Sequence, residues 1–353
     1  MPAIYHSYID AAFLKNHRKN KPMASSDEFV ESDEMKNWRA INEFLLLRTR
    51  ITLFKQGIDA KDLQDANPLA FALLNDYMQG KRKDMTFIEK SDEQLVNCRN
   101  VLSLFFFTDE VKLGFSPAAY GFIKYDSGKV QKRWLDNPCK PRELLISGEQ
   151  LVNNQLQSWN DFSQFGLGTN SIVILDNYIF NNKFSVANNF VPLIRAFYPA
   201  SLSDSPLDIL VITKYLYAKN PDSLRTEHQE ESLKNVYDLI EKELVKGLTS
   251  RSFTLTIIQK KRALNNVHDR NIITNYLRIK VSNSLSFFDR KGRALMASDV
   301  TFDPLPHIAR NGDETHGDIS LVFLKRASEI LNDQTNMVLG VSKNRLLDVY
   351  ERS

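Results

Sequence analysis

From residue 171 onward, short β-branched and aliphatic runs alternate with helical segments, and this alternation constrains the fold more than any other feature. Ser171-Ile-Val-Ile-Leu, Leu207-Asp-Ile-Leu-Val-Ile-Thr and Phe253-Thr-Leu-Thr-Ile-Ile-Gln predict strands, with helices over 184–197 and 229–248 between them. Such a pattern belongs to an α/β sheet and not to a helical bundle. A further strand is expected over 271–281, where Ile272, Ile273, Leu277, Ile279 and Val281 alternate cleanly only in the second half, followed by a closing helix over 318–331. The predicted class is therefore α/β, with a mixed sheet flanked by helices in residues 166–353.

Residues 1–165 read as a separate, mainly helical domain suited to interaction or regulation. Trp38, Ile41, Phe44 and Leu45 form a helical stripe behind the cap Ser32, with Gly57 as the stop. Helices are also predicted over 68–78, ending at Gly80, and over 142–159. Val101-Leu-Ser-Leu-Phe-Phe-Phe is compact and apolar, and periodicity leaves it open as a buried strand or a helix end. No apolar stretch approaches the roughly 20 residues that span a bilayer, and the N-terminus lacks a secretory pattern, so a cytoplasmic location is expected. Cys98 and Cys139 are too few and too isolated for a disulfide framework or a zinc pair and are read as buried thiols.

The chain carries a net charge of only +3, but residues 258–293 hold nine basic residues against two acidic ones, a local +7 that leaves −4 elsewhere. Segregation of this kind draws phosphates to one face when the side chains converge. Within the window lies Val267-His268-Asp269-Arg270-Asn271-Ile272-Ile273-Thr274-Asn275, spaced H-x-R-x-x-x-x-N. In an extended segment, residues two apart point the same way, so His268 and Arg270 are predicted to meet one phosphate. Asn275, suited to hydrogen-bond a histidine or a phosphate, joins His268 and Arg270 as a catalytic candidate, and Lys260, Lys261, Arg262, Arg278, Lys280, Ser282 and Asn283 are the further candidates for phosphate contact. Tyr276, Phe287 and Phe288 are candidates for base stacking. Asp176 and Tyr178 follow the 171–175 strand, where side chains of open α/β sheets face the crevice, and they have supporting roles; local turn formation and packing are the equal alternative.

The H-x-R-x-x-x-x-N spacing resembles the H-x-K-x-x-x-x-D motif of the phospholipase D superfamily, and His-Asp-Arg before an apolar strand is most similar to the phospholipase D-like C-terminal domain of MIT-domain proteins. The resemblance covers at most residues 170–335. It implies a phospholipase D-like α/β domain in which His268 is a nucleophile toward phosphorus and Arg270 replaces the lysine that stabilises phosphoryl charge. An active site of that kind needs two motifs. The chain holds one, which leaves either a homodimer apposing two copies of His268 or a binding fold without turnover. The resemblance to MIT-domain proteins implies a phosphoinositide surface as the alternative ligand, and the helical half is a candidate protein-docking module.

Nucleic acid is the favoured partner, with a nuclease-like effector in defence against foreign nucleic acid as the superfamily analogy; no cofactor or metal is expected. His307 and His316 with Asp313, Glu314 and Asp318 form a polar loop whose nine-residue histidine gap matches no zinc spacing. Asp10, Asp109, Glu110, Asp126 and Asp176 are too scattered to argue a metal site. Phosphate-loop, dinucleotide and nucleophile-elbow motifs are absent from the sequence.

Overall fold

The computed structural model describes residues 5–19, 21–22, 32–54, 61–62, 68–81, 85–88, 102–108, 116–125, 142–146, 158–166, 168–181, 183–214, 216, 226–247, 252–260, 270–282, 285–289, 291, 298–307, 309 and 314–351. The chain divides into two units, residues 1–139 and 140–352. The boundary therefore falls earlier than the expected 165/166.

The first unit contains β1 (Tyr5–Asp10), α1 (Ala11–Lys19), α2 (Asp33–Leu47), β2 (Thr49–Phe54), α3 (Pro68–Met78), β3 (Met85–Ile88), β4 (Ser103–Phe106) and β5 (Ile123–Tyr125). Its strands form an all-parallel sheet in the order β3-β2-β1-β4-β5. The expected mainly helical domain is thus corrected to a second α/β unit. Parallel strands covered on both faces do not alternate, and here polar side chains pair inside the sheet. His6 Nε2 lies 2.7 Å from Thr52 Oγ1, Thr52 Oγ1 lies 2.9 Å from Thr86 Oγ1, and Ser7 and Thr49 hydroxyls are 2.8 Å apart. The undecided 101–107 run supplies β4. Helices α2 and α3 form as expected, and Ser32 Oγ accepts the Met35 N–H at 3.2 Å as a cap. Helix α2 ends at Leu47, directly before β2; Gly57 lies outside the described residues.

The second unit begins with β6 (Arg142–Ile146), which occupies part of the expected 142–159 helix. A 3₁₀ turn (Trp159–Phe165), β7 (Ser171–Leu175) and a helical segment follow; that segment comprises Lys183–Ser185, a π turn at Val186–Phe190, and α4 (Val191–Phe197). The remainder is β8 (Leu207–Thr213), α5 (Thr226–Gly247), β9 (Phe253–Gln259), β10 (Arg270–Thr274), β11 (Leu277–Val281), β12 (Ser298–Pro304), α6 (His316–Asn332), β13 (Met337–Gly340) and α7 (Arg345–Glu351). The sheet order is β13-β9-β8-β7-β10-β11-β12-β6. Strands β7, β8 and β9 are parallel, and β10 returns antiparallel to β7.

The expected 271–281 strand is a hairpin. Thr274 Oγ1 accepts the Tyr276 and Leu277 N–H groups at 3.3 and 3.1 Å, reversing the chain at Asn275-Tyr276. One sheet face, through Ile172, Ile174, Ile209, Val211, Ile257 and Ile279, joins Phe190, Phe197 and Trp159 in the main core. Residues one position along, Arg278 among them, point to the other face; there Arg278 lies 4.6 Å from the Phe323 ring of α6.

Candidate phosphate-binding site

The two ends of the β7-β8-β9 layer differ. At the amino end, a cluster of polar side chains is hydrogen-bonded within the fold. Asn275 is fully buried; its Oδ1 accepts the Asn170 and Ser171 N–H groups at 3.0 and 3.1 Å, and its amide donates to Asn170 Oδ1 at 2.6 Å. Ser171 Oγ donates to Asn344 Oδ1 at 2.8 Å, and Arg345 Nε lies 2.8 Å from Asp208 Oδ2. This end is closed by structure.

At the carboxyl end the strands release part-exposed cations. Arg270 opens β10, its Nη1 donates to the Ser282 carbonyl at 3.1 Å, and its guanidinium lies 5.6 Å from the Tyr178 ring centroid. Tyr178, in the turn after β7, is 39% exposed. Asp176 is buried beneath it. One of its oxygens accepts the Tyr178 N–H and the other the Leu285 N–H, both at 2.8 Å. The carboxylate thus fixes the turn carrying Tyr178 and pins the chain leaving β11 to the end of β7.

Lys214 and Lys260 directly follow β8 and β9. The Lys214 N–H donates to the Asn177 carbonyl at 3.3 Å and the Lys260 N–H to the Thr213 carbonyl at 2.8 Å, so both residues are held at the same sheet end. The Lys260 amine is pushed down to about 8, first by partial burial and then by the Arg326 guanidinium, with Asp333 acting in the opposite direction.

The structure separates the sequence candidates. Arg270, Ser282 and Tyr178 come together, and Lys260 lies at the same end of the sheet. Asn275 lies at the far end of β10, about 17 Å of extended chain from Arg270, where one anion cannot reach both. Arg278 is buried, its Nε donating to Asn271 Oδ1 at 3.0 Å. Lys280 Nζ lies 3.0 Å from Asp303 Oδ2, an ion contact that neutralises it. Tyr276, Phe287 and Phe288 are core residues, not stacking platforms; Phe287 stacks on Trp159 at 5.1 Å. His268, Lys261, Arg262 and Asn283 lie outside the described residues.

Lys214 and Arg326 escaped the sequence reading, although Lys214 sits where Asp176 does, immediately after a β-branched run. That position was the available signal. Arg326 lies about three turns into α6, outside any motif, and no sequence signal marks it.

A second polar group lies against α6. His316 Nδ1 is 3.6 Å from Asp303 Oδ2, and the His316 N–H donates to the His307 carbonyl at 2.9 Å. Burial, reinforced by His316, pushes the His307 imidazole down to about 4. Among the described residues no three His, Cys, Asp or Glu side chains are placed to hold a metal ion, and none of the described helices is long and apolar enough to cross a membrane. No protein-family model and no curated protein matches the chain.

Proposed function

We propose that the second unit recognises phosphodiester-bearing ligands, nucleic acid foremost, at the carboxyl end of β7-β8-β9. The observation that carries this reading is the Arg270 guanidinium beside the exposed Tyr178 ring at the sheet end that also holds Lys260. A guanidinium offers a planar fork to a phosphate, and an adjacent aromatic face takes a base. Among the described residues of the opposite end, Asn275, Asn170, Asn344 and Asp208 are already hydrogen-bonded or ion-paired within the fold.

The phospholipase D-like resemblance supports the same ligand class. Binding without turnover is the preferred reading: the sequence has one motif, and Asn275 serves the turn between β10 and β11. Hydrolysis would require two His268 side chains apposed in a homodimer. The test is fluorescence anisotropy of a labelled oligonucleotide with the full chain. Arg270→Ala is expected to weaken binding about tenfold, with Arg270→Lys recovering only part of the loss. Unchanged affinity in Arg270→Ala, with the fold intact, overturns the proposal.

A further inference from the structure

We infer that Ser185 is a positioning residue for the ligand site: it closes a ring of hydrogen bonds that holds the main chain of Tyr178 on both sides and so keeps the Tyr178 ring against the Arg270 guanidinium. The inference rests on the phosphodiester reading above and adds a residue that no sequence motif marks.

The ring joins the turn after β7 to the segment that follows β11. The Tyr178 N–H donates to Asp176 Oδ1 at 2.8 Å, and Asp176 Oδ2 accepts the Leu285 N–H at 2.8 Å. Ser286, the next residue along, has its Oγ 2.9 Å from Ser185 Oγ. The Ser185 hydroxyl donates to Asn181 Oδ1 at 3.2 Å, and the Asn181 N–H returns to the Tyr178 carbonyl at 3.0 Å. A serine hydroxyl has one proton to give and two lone pairs that accept. Since Ser185 gives its proton to Asn181, Ser286 is the donor between the two serines, and the donors and acceptors match all the way round.

Ser185 stands directly before the π turn, and with Asn188 and Asn189 it has the i, i+3, i+4 spacing that gathers side chains on one side of a helix. All three reach residues 286–289. Asn189 takes both main-chain groups of Phe288, accepting its N–H at 2.8 Å and donating to its carbonyl at 2.9 Å, and Asn188 Nδ2 donates to the Asp289 carbonyl at 3.1 Å. These two asparagines grip main chain and fix where the segment lies. Ser185 instead bonds side chains that lead back to Tyr178. It is 1% exposed, whereas Tyr178, across the ring from it, is 39% exposed with the Arg270 guanidinium 5.6 Å from its ring centroid. With its N–H and its carbonyl both held, an exposed turn residue is ordered before a ligand arrives, which lowers the ordering cost of binding.

The experiment is anisotropy of a labelled oligonucleotide with the full chain, at a temperature where circular dichroism shows each variant folded. Ser185→Ala should weaken binding about threefold to tenfold. Ser286→Ala cuts the same link from its part-exposed side and should act alike, which keeps the test decisive if the buried Ser185→Ala does not fold. Ser286→Thr keeps the hydroxyl and should bind as the unaltered chain does. Tyr178→Ala should itself weaken binding, and adding Ser185→Ala to it should bring no further loss, because Ser185 acts through Tyr178. A serine with only a structural role would lower the unfolding temperature without this coupling. Unchanged affinity in Ser185→Ala and Ser286→Ala, or the same loss with and without Tyr178, overturns the inference; if Arg270→Ala still weakens binding, the phosphodiester reading stands. If Arg270→Ala changes nothing either, both fail.

Discussion

Asp10 in the first unit and Asp176 in the second occupy the same kind of place, the carboxyl end of a central parallel strand, and each is spent on the backbone. Asp10 accepts the N–H of Phe13, capping α1, and the N–H of Thr108 beyond β4 at 2.8 Å. Asp176 accepts Tyr178 and Leu285. A carboxylate at a strand end thus welds two segments in both units. What differs in part is the company: in the second unit the neighbouring strands release Lys214, Lys260 and Arg270, and in the first the buried Thr108 lies beyond β4 while Lys124 of β5 acts on Asp10. Position at the strand end gives the carboxylate its task, and the residues on adjacent strands decide the charge around it.

The largest expected effects test the shared role. Asp10→Ala and Asp176→Ala each leave two buried N–H donors without an acceptor, and each should cost about 2–4 kcal/mol by chemical denaturation. If Asp176→Ala abolished nucleic-acid binding without loss of stability, Asp176 would belong to the ligand site and the parallel with Asp10 would break.

Acid should separate the units. His307 titrates near 4 in the fold against an ordinary 6.5, so between these values the unfolded chain binds more protons and stability falls as pH drops through that window, by up to about 3 kcal/mol. Desolvation raises the Asp10 carboxyl above its ordinary value, so the fold binds more protons there and gains, not loses, stability as pH falls through that range. Hydrogen exchange resolved by residue should show the second unit opening first on acidification, with His307→Gln reducing the effect. Equal loss in both units would contradict this.

Smaller effects come from the helix caps. Thr315 and Asp318 form a reciprocal capping box on α6, with Asp318 Oδ2 accepting the Thr315 N–H at 2.8 Å and Thr315 Oγ1 accepting the Asp318 N–H at 3.1 Å. Ser32 makes one longer bond on α2. Thr315→Ala should cost about 1–2 kcal/mol and Ser32→Ala about 0.5–1 kcal/mol in thermal unfolding. The reverse order would show that tertiary packing, not the cap, sets these helix starts.

The second unit was legible because β7, β8 and β9 are aliphatic runs bounded by polar turns, a pattern that buried parallel strands share. Strand β1 was not: His6 and Ser7 make it look polar, and only their partners Thr52 and Thr49 on β2 explain how they are accommodated. The expected 142–159 helix does not hold over its first five residues, because apolar spacing alone cannot register that Arg142–Ile146 pairs with β12; residues 147–157 lie outside the described ones. At the site, the motif located Arg270, and strand-end position located Tyr178. Spacing along one strand misled for Asn275, since the residue four positions after Thr274's neighbour Ile273 lies past a chain reversal on β11 and Asn275 itself begins that reversal. The basic window likewise concealed that alternation sends Arg278 and Lys280 to the face covered by α6, where Asp303 and Asn271 receive them. Charge along a sequence does not distinguish a sheet's face from its end.

The most direct test of the central claim is the salt dependence of oligonucleotide binding by the full chain and by the double variant Arg270→Ala/Lys260→Ala. The account predicts a steep linear fall of log affinity with log salt, shallower by about two in the double variant. A slope unchanged by removing both cations would contradict it.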